Sequence, residues 1–400
     1  MIATFKPCVL RGTVNAPSSK SMAHRYLIGA AISGRRCTLT GVDFSEDILA
    51  SIDCLRALGA SITIDKDTAV IDPQGFMKAE RPVLECRESG STLRFFIPLA
   101  LCLGGTVTLS GSERLFERPL DIYKELCREK GFTFNKDKSS VTLCGDLESG
   151  SYRIRGDISS QFITGLILAL VYLGGNSSVE IIPPFESRPY IELTLSALRC
   201  FGADVTFADE YRIEIKASEM NAFSGRIEGD YSNAAFLDAF NRIGSEIKIK
   251  NLRPDSLQGD RVYADYFERI SSGTPTLDIS DCPDLGPVLF ALAALKNGAT
   301  FTGTDRLKVK ESDRGAAMHE ELAKLGGGLL LGENTVTVPK QELRYNGKEL
   351  DGHNDHRIVM ATSVILSKTG GILSGAEAVR KSYPSFFEDI KRLGAEVELL

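Results

Sequence analysis

Two short segments, far apart in the chain, combine cations with polar groups where helices are expected to start. In the first, Lys20 and Ser21 precede an Ala- and Leu-containing helix, and Arg25 follows Ser21 by one helical turn. The free N–H groups and positive dipole end of such a helix attract phosphate. The spacing is not that of a P-loop, and taken alone a Ser-rich helix cap is the more common explanation.

The second segment is Lys310-Glu311-Ser312-Asp313-Arg314, which is denser in charge. If it opens a helix, Lys310 and Arg314 lie four residues apart on one face, with Glu311 beside them. A solvated charged surface is an equally good interpretation of this segment alone.

Further segments place polar or cationic side chains near expected helix starts, where they could contact an anion. They contain Gly90 in Glu88–Arg94, Arg118 in a predicted loop, Ser159, Ser160 and Gln161 before a buried helix, Arg357 in His353–Arg357, and Lys381. Helix caps and surface ion pairs explain each of them equally well on its own. The H-x-x-H spacing of His353 and His356 could suggest a metal, but the adjacent cation and the lack of a matched cysteine or carboxylate cluster disfavour that reading.

A recurring unit indicates how these segments are positioned. A helix-like run that ends in glycine, usually before a strand-like stretch, occurs six times, at Gly59, Gly131, Gly202, Gly273, Gly326 and Gly394. The intervals of 53 to 72 residues suit a βαβ-containing unit better than a solenoid repeat. Three units in each half predict two α/β domains, with a hinge near Arg226 and Ile227; coincidental similarity among ordinary α/β units is the alternative.

Composition limits the class of protein. A chain of 400 residues with 43% hydrophobic residues and a net charge of −6 predicts two globular domains without a broad basic face for nucleic acid. Nine cysteines without a C-x-x-C pair, and no secretory signal, predict a cytoplasmic protein. The apolar run from Phe162 to Leu173 is too short to span a membrane and is expected to form a buried helix.

Taken together and in this order, the segments from Pro17 to Lys381 resemble the EPSP synthase (3-phosphoshikimate 1-carboxyvinyltransferase) family of enolpyruvyl transferases. The resemblance implies an α/β fold of two similar domains, each of three βαβαββ repeats in an inside-out α/β barrel. We expect residues 14–226 to form one domain and residues 1–13 plus 227–400 the other, with the active site in a cleft that closes on its substrates. The implied activity is transfer of the enolpyruvyl group of phosphoenolpyruvate to shikimate 3-phosphate. We expect the enzyme to be a monomer that needs no cofactor.

The resemblance also implies a role for each matching residue. The shikimate 3-phosphate contacts would be Lys20, Ser21, Arg25, Ser159, Ser160, Gln161, Ser187 and Lys310. The phosphoenolpyruvate pocket would be Gly90, Arg118, Arg314, Arg357 and Lys381, with Lys20 and Gln161 between the two ligands. Glu311 matches the family's acid and Asp284 its base at the acceptor hydroxyl, with assistance from Lys20, although the two carboxylate roles could be exchanged.

The chain departs from the family pattern at a few positions. Glu88-Ser89-Gly90-Ser91 replaces Asn-Ala-Gly-Thr, Phe95 replaces a proline, and Arg306 stands where some members carry Asn. A rival is UDP-N-acetylglucosamine enolpyruvyl transferase, which typically uses a mobile-loop cysteine; none lies in the segment around Arg118. A noncatalytic anion-binding or RNA-processing relative is a second alternative, disfavoured by the acidic balance.

Overall fold

The computed structural model describes residues 1–400, and the chain folds into two units. Residues Ser18–Glu228 form what we call the central unit, whereas Met1–Pro17 and Gly229–Leu400 form the terminal unit. The chain therefore enters the central unit after Pro17 and leaves it after Glu228. The predicted boundaries, after residues 13 and 226, lie four and two residues before these crossings.

The central unit contains three four-stranded sheets, each with its helices in a β-α-β-α-β-β pattern. The first comprises β14 (Ser224–Arg226), α1 (Lys20–Ile32), β3 (Cys37–Thr40), α2 (Glu46–Ala57), β4 (Ser61–Asp65) and β5 (Thr68–Asp72). The second comprises β6 (Val83–Glu85), α3 (Gly90–Leu101), β7 (Thr106–Ser110), α4 (Glu113–Glu117), α5 (Asp121–Lys130), β8 (Thr133–Lys136) and β9 (Ser140–Cys144). The third comprises β10 (Ser151–Arg155), α6 (Ser160–Leu173), β11 (Ser177–Ile182), α7 (Arg188–Cys200), β12 (Asp204–Phe207) and β13 (Arg212–Lys216). In the first, the strand that opens the pattern, β14, comes last in the chain, and the second has an additional short helix, α4.

The terminal unit repeats this order, but one of its sheets has only two strands. That sheet pairs β2 (Arg11–Asn15) with β15 (Glu246–Lys250), accompanied by α8 (Tyr231–Arg242) and α9 (Tyr263–Ser272). The next comprises β16 (Thr276–Asp278), α10 (Gly286–Leu295), β17 (Ala299–Thr302), α11 (Arg314–Lys324), β18 (Leu330–Leu331) and β19 (Thr335–Val338). The last comprises β20 (Leu350–Asp351), α12 (His356–Thr369), β21 (Gly371–Ser374), α13 (Phe386–Arg392), β22 (Val397–Leu399) and β1 (Ala3–Phe5).

Strand pairing is the same in the five four-stranded sheets. The first two strands of each repeat are parallel, as between β10 and β11, where Tyr152 lies opposite Val179. The remaining pairs are antiparallel, as between β11 and β13, where Val179 lies opposite Ile213. Where the two parallel strands follow one another in the chain, as β10 and β11 do, a helix supplies the long crossover, whereas consecutive antiparallel strands such as β4 and β5 need only a short turn. The predicted α/β class with βαβαββ repeats is confirmed.

Each unit has its own apolar core, and helices that are apolar on every side lie within it. The expected buried helix after Phe162 is α6, and Phe162, Leu166 and Leu170 are completely buried. Helix α10 is the corresponding buried helix of the terminal unit, and its Phe290 is completely buried. None of the helices is both long enough and apolar enough to cross a membrane.

The six glycines used to recognise the repeats all follow helices, and five have positive φ angles: Gly59, Gly131, Gly202, Gly326 and Gly394. Such angles let the chain reverse after a helix, and they favour glycine because a Cβ atom is crowded there. Gly273 differs, because its φ of −172° is extended backbone. It ends α9 in the repeat that lacks the usual final strand pair.

We predict that Gly59→Ala destabilises the protein more than Gly131→Ala. Gly59 has a φ of +102°, and an added Cβ would collide with the carbonyl oxygen of Gly75. Gly131 has a φ of +73° and open space where its Cβ would lie. Denaturant unfolding should show a loss of about 2 kcal/mol or more for Gly59→Ala but only about 1 kcal/mol for Gly131→Ala. Equal losses would contradict this packing.

Candidate active site

The start of α1 places Lys20, Ser21 and Arg25 together. Ser19 caps the helix, with its hydroxyl accepting from the N–H of Met22 at 3.5 Å. The ammonium group of Lys20 pairs with the carboxylate of Asp47 at 2.8 Å. Sequence reasoning missed Asp47, because an acidic residue in the first turn of α2 is typical of helices in general.

Arg25 is a buried cation held by neutral oxygen atoms. Its guanidinium donates to Thr194 Oγ1 at 2.8 Å, to the carbonyl of Ser21 at 2.7 Å and to the carbonyl of Tyr190 at 2.9 Å. Burial lowers the pKa of Arg25 to about 10, so the group remains charged at neutral pH. A buried positive charge whose acceptors are neutral favours the binding of an anion.

The structure brings Gly90 and Arg118 into contact. Ser89 caps α3, and its hydroxyl accepts from the N–H of Thr92 at 3.2 Å. A Cβ atom on Gly90 would lie 2.5 Å from Arg118 Nη1, so only glycine leaves room for this guanidinium. Arg118 lies in a loop before a helix, as predicted, since it is extended and connects α4 to α5; the short helix α4 before it, which Ser112 caps, was not predicted. Pro119 prevents the helix from continuing.

Gln161 joins the starts of α3 and α6. Its side-chain oxygen accepts from Arg94 Nη1 at 2.7 Å, and its side-chain nitrogen donates to Ser91 Oγ at 2.9 Å. Ser91 and Arg94 are site neighbours outside the predicted set of site residues. The sequence does show that Arg94 follows Gly90 by one helical turn, where its cation could contact the same anion.

The remaining predicted residues of the central unit also lie at helix starts. Ser159 caps α6 by accepting from the N–H of Gln161 at 3.3 Å, and Ser160 is the first residue of that helix. Ser187 is completely buried just before α7, with a φ of 56°. Helices α6 and α7 are tied together by the hydroxyls of Thr164 and Thr194, 2.9 Å apart.

In the terminal unit, Arg314 is the centre of the second group of predicted residues. Its side chain is 1% exposed and contacts three carboxylates: Asp355 at 2.9 Å, Asp284 at 2.8 Å and Glu311 at 2.8 Å. Burial lowers the pKa of Arg314, but Asp355, Glu311 and Asp284 outweigh that effect and raise it above its ordinary value. Arg314 is therefore a fixed positive charge.

Asp284 brings two further predicted cations into the same cluster. Lys310 Nζ lies 3.2 Å from one oxygen of Asp284, and Arg357 Nη2 lies 3.5 Å from the other. Whereas Arg357 is buried, Lys310, Asp284 and Glu311 keep 18%, 23% and 17% of their side-chain surface exposed. Two carboxylates that a ligand can reach thus share one group of cations.

A helix starting at Lys310 was expected for the segment from Lys310 to Arg314, but the structure has none there. Lys310 follows the 3-10 helix Asp305–Val309 in an extended conformation, and α11 begins only at Arg314. The reason is local, since Asp313 caps α11 by accepting from the N–H of Ala316 at 3.1 Å. Lys310 and Arg314 nevertheless converge, because both contact Asp284.

Asp355 is a further residue that sequence reasoning missed. It is completely buried, accepts from Ser312 Oγ at 3.0 Å as well as from Arg314, and caps α12 through the N–H of Arg357. The signal was present, since Asp355 lies within the segment considered for its two histidines. Lys381 lies near the same segment, where its ammonium group donates to the carbonyl of Asn354 at 2.6 Å.

The electrostatic environment of this cluster shifts two pKa values toward neutrality. Burial, and then the positive charges of Arg314 and Arg306, lower the pKa of Lys310 to about 8, although Asp284 opposes them. Burial, and then the charge of Asp284, raise the pKa of Asp260 to about 7. Perturbed pKa values of this kind are common where proton transfer occurs. Asp260, a buried residue, was not identified from the sequence.

Comparison with known proteins assigns a family to these features. Residues 6–390 match the family model of EPSP synthase (3-phosphoshikimate 1-carboxyvinyltransferase). The 3-phosphoshikimate 1-carboxyvinyltransferases of Clostridium kluyveri and Clostridioides difficile are 37% and 34% identical, over 99% and 98% of this chain and 98% and 97% of theirs. The solved EPSP synthase of Acinetobacter baumannii, 23% identical, has the same fold, with a TM-score of 0.78 over 99% of both chains.

We predict that Lys310 titrates near pH 8 and that its neighbours control its pKa in opposite directions. Asp284→Asn should lower the pKa further, because it removes a negative charge, whereas Arg306→Met should raise it by removing a positive charge. NMR of protein with 13C-labelled lysine Cε, with Lys310→Arg to assign the signal, measures these values. An ordinary lysine pKa, or shifts in the reverse directions, would contradict the described cluster.

Proposed function

The chain belongs to the EPSP synthase family, and from that premise we propose that it transfers the enolpyruvyl group of phosphoenolpyruvate to the 5-hydroxyl of shikimate 3-phosphate, releasing phosphate. The observation that carries the proposal is the cluster in which Asp284 and Glu311 share the buried guanidinium of Arg314. It supplies two carboxylates for proton transfer beside fixed positive charge.

The proposal assigns shikimate 3-phosphate to residues that combine hydroxyl groups, helix N-termini and cations: Lys20, Ser21, Arg25, Ser159, Ser160, Gln161, Ser187 and Lys310. Two features of the central unit support this assignment. The starts of α1 and α6 offer N–H groups to a phosphate. The buried charge of Arg25, bound to neutral oxygens, favours an anion.

Phosphoenolpyruvate carries a carboxylate and a phosphate, so its pocket needs several positive charges. We assign it to Gly90, Arg118, Arg314, Arg357 and Lys381, with Lys20 and Gln161 contacting both substrates. The support is local to each unit: Arg118 packs against Gly90, and Arg314 and Arg357 share Asp284.

The reaction proceeds by addition and then elimination. Asp284 takes the proton of the 5-hydroxyl as its oxygen bonds to C2 of phosphoenolpyruvate, while Glu311 donates a proton to C3 and converts the methylene to a methyl group. The tetrahedral intermediate then loses phosphate as the bond between C2 and the phosphate oxygen breaks, and Asp284 gives its proton to the departing phosphate. A methyl proton returns to the Glu311 carboxylate, which restores the double bond. Lys20 and the arginines stabilise the charge that develops on the phosphate.

No metal or organic cofactor is required by this chemistry. The leaving group is phosphate, and fixed cations can stabilise its charge without a Lewis acid. The proposal also includes a monomer located in the cytoplasm, with domain boundaries after residues 13 and 226. All nine cysteines are unpaired, which is typical of a reducing compartment.

A sugar-nucleotide acceptor is less compatible with the residues around Arg118. An enolpyruvyl transferase that uses a loop cysteine needs an exposed, reactive thiol. The cysteine that follows Arg118 in the sequence is Cys127, which is completely buried within α5. Burial raises its pKa to about 11, so this thiol is unreactive at neutral pH.

We predict that the protein releases phosphate from phosphoenolpyruvate only when shikimate 3-phosphate is present. Glu311→Gln and Asp284→Asn should each lower kcat by about 100-fold or more, because each removes a group that transfers a proton. Colorimetric phosphate release measures both effects, with UDP-N-acetylglucosamine as the competing acceptor.

Matched amide substitutions outside the cluster provide the control. Glu333→Gln, in the turn between β18 and β19, and Asp281→Asn, three residues before Asp284, alter exposed carboxylates and should leave kcat within about twofold. Phosphate release that does not depend on shikimate 3-phosphate would contradict the proposed acceptor. Full activity of the Glu311 and Asp284 variants would contradict their roles.

A further inference from the structure

The loop between β20 and α12 has an unusual backbone. His353 and Asn354 are consecutive residues with φ angles of 49° and 50°, in the left-handed region that side chains with a Cβ atom disfavour. Asparagine and histidine adopt this region more often than most residues, but usually singly, so two such residues in succession are uncommon. Contacts of His353 must therefore hold the loop in this conformation.

A buried carboxylate makes those contacts. Glu321 of α11 is completely buried in its side chain, and its Oε1 lies 2.6 Å from His353 Nε2. The N–H of Asp351 donates to the other oxygen of Glu321 at 2.8 Å, and the N–H of His353 donates to the Asp351 carboxylate at 2.7 Å. Asp351 and His353 are thus both bound to Glu321 of α11.

The same loop carries partners of three proposed phosphoenolpyruvate ligands. The carbonyl of Asn354 accepts from Lys381 Nζ at 2.6 Å. Asp355, the next residue, accepts from Arg314 Nε and from the backbone N–H of Arg357, both at 2.9 Å. A change in the backbone at residues 353 and 354 would therefore displace cations that the proposed pocket needs.

We propose that His353, through its bond to Glu321, is a positioning residue for the phosphoenolpyruvate pocket, an inference that rests on the proposed function. The protonated imidazole holds the left-handed loop, and the loop in turn sets the positions of Lys381 and Arg314. His353 does not touch the substrate. Its loss should therefore weaken phosphoenolpyruvate binding.

The charges around His353 make its effect dependent on pH. Glu320, Glu321 and Lys324 face it from α11, and Asp351 faces it from β20. The hydrogen bond to Glu321 raises the pKa of His353 above its ordinary value; burial opposes this, and Asp351 and Glu320 add to it. The ion pair is complete below the ordinary histidine pKa of about 6.5 and is lost as the pH rises through the raised pKa.

A metal site is a poorer explanation of this group. Glu320, Glu321 and His353 offer donor atoms within 4.8 Å of one another. However, the ammonium group of Lys324 already bonds both oxygens of Glu321, at 2.9 and 3.0 Å. Lys324 supplies the positive charge that a metal would bring, so the group is described best as a network of ion pairs.

The test compares His353→Asn with the parent enzyme across the pH range from about 6 to 9. Asparagine tolerates the left-handed backbone but cannot pair with Glu321 as an imidazolium. At about pH 6 we expect KM for phosphoenolpyruvate to rise about threefold to tenfold, with KM for shikimate 3-phosphate nearly unchanged. The ratio of variant to parent KM should be smaller at higher pH, where the parent keeps only the weaker hydrogen bond of a neutral imidazole to Glu321.

His319→Asn is the matched control. His319 also lies on α11, but its Nδ1 lies 2.9 Å from the carbonyl of Leu329, away from the loop. Its KM ratio for phosphoenolpyruvate should stay near one at every pH, and denaturation midpoints of both variants report whether they fold. A His353→Asn effect that is independent of pH, or equal for both substrates, would overturn the proposal.

Failure of the proposed function can be separated from failure of this inference. Phosphate release by the parent is measured first, and its absence would contradict the proposed function only. Hydrogen exchange then tests the loop directly, since the N–H of Asp355 donates to the carbonyl of Gly352 at 2.9 Å. Exchange at Asp355 that is faster in His353→Asn than in the parent at about pH 6, with a smaller difference at about pH 9, supports the role of His353. Exchange that is equally fast in variant and parent at both pH values refutes it.

Discussion

A buried guanidinium surrounded by carboxylates is the interaction on which the proposed active site depends. Arg314 is 1% exposed, and a charge at that depth is tolerated only if it is paired and hydrogen-bonded. The guanidinium of Arg314 pairs with three carboxylates, those of Asp284, Glu311 and Asp355, and Asp355 is also completely buried. The contacts that allow Arg314 to be buried are therefore the same contacts that fix both carboxylates proposed to transfer protons.

In both units, groups that can attract an anion lie at the starts of helices. Ser19, Ser89, Ser159, Asp313 and Asp355 each cap a helix by accepting from a backbone N–H two or three residues later. A cap satisfies only part of the free N–H groups in the first turn. The remaining groups, together with cations in the same turns, give similar anion-attracting ends to helices in both units.

The sequence predicted much of this arrangement because the signals were local. Glycines after helices marked the repeats, and five of the six have positive φ. Lys310, Glu311 and Arg314 were recognised as a group because they are adjacent in the sequence. By contrast, Asp47, Asp260 and Asp355 look like ordinary surface or capping carboxylates until distant partners bury them. The bond between Glu321 and His353 joins residues 32 positions apart, for which no local pattern exists.

The central claim is that C3 of phosphoenolpyruvate gains a proton and later loses one, and deuterium incorporation tests it most directly. With the reaction run in D2O with shikimate 3-phosphate, 1H NMR and mass spectrometry of the product report the isotope at its vinyl methylene. We expect deuterium at that carbon, because the transient methyl group contains one solvent deuteron and two original protons. A product formed at a normal rate with only protium at the methylene would contradict the account.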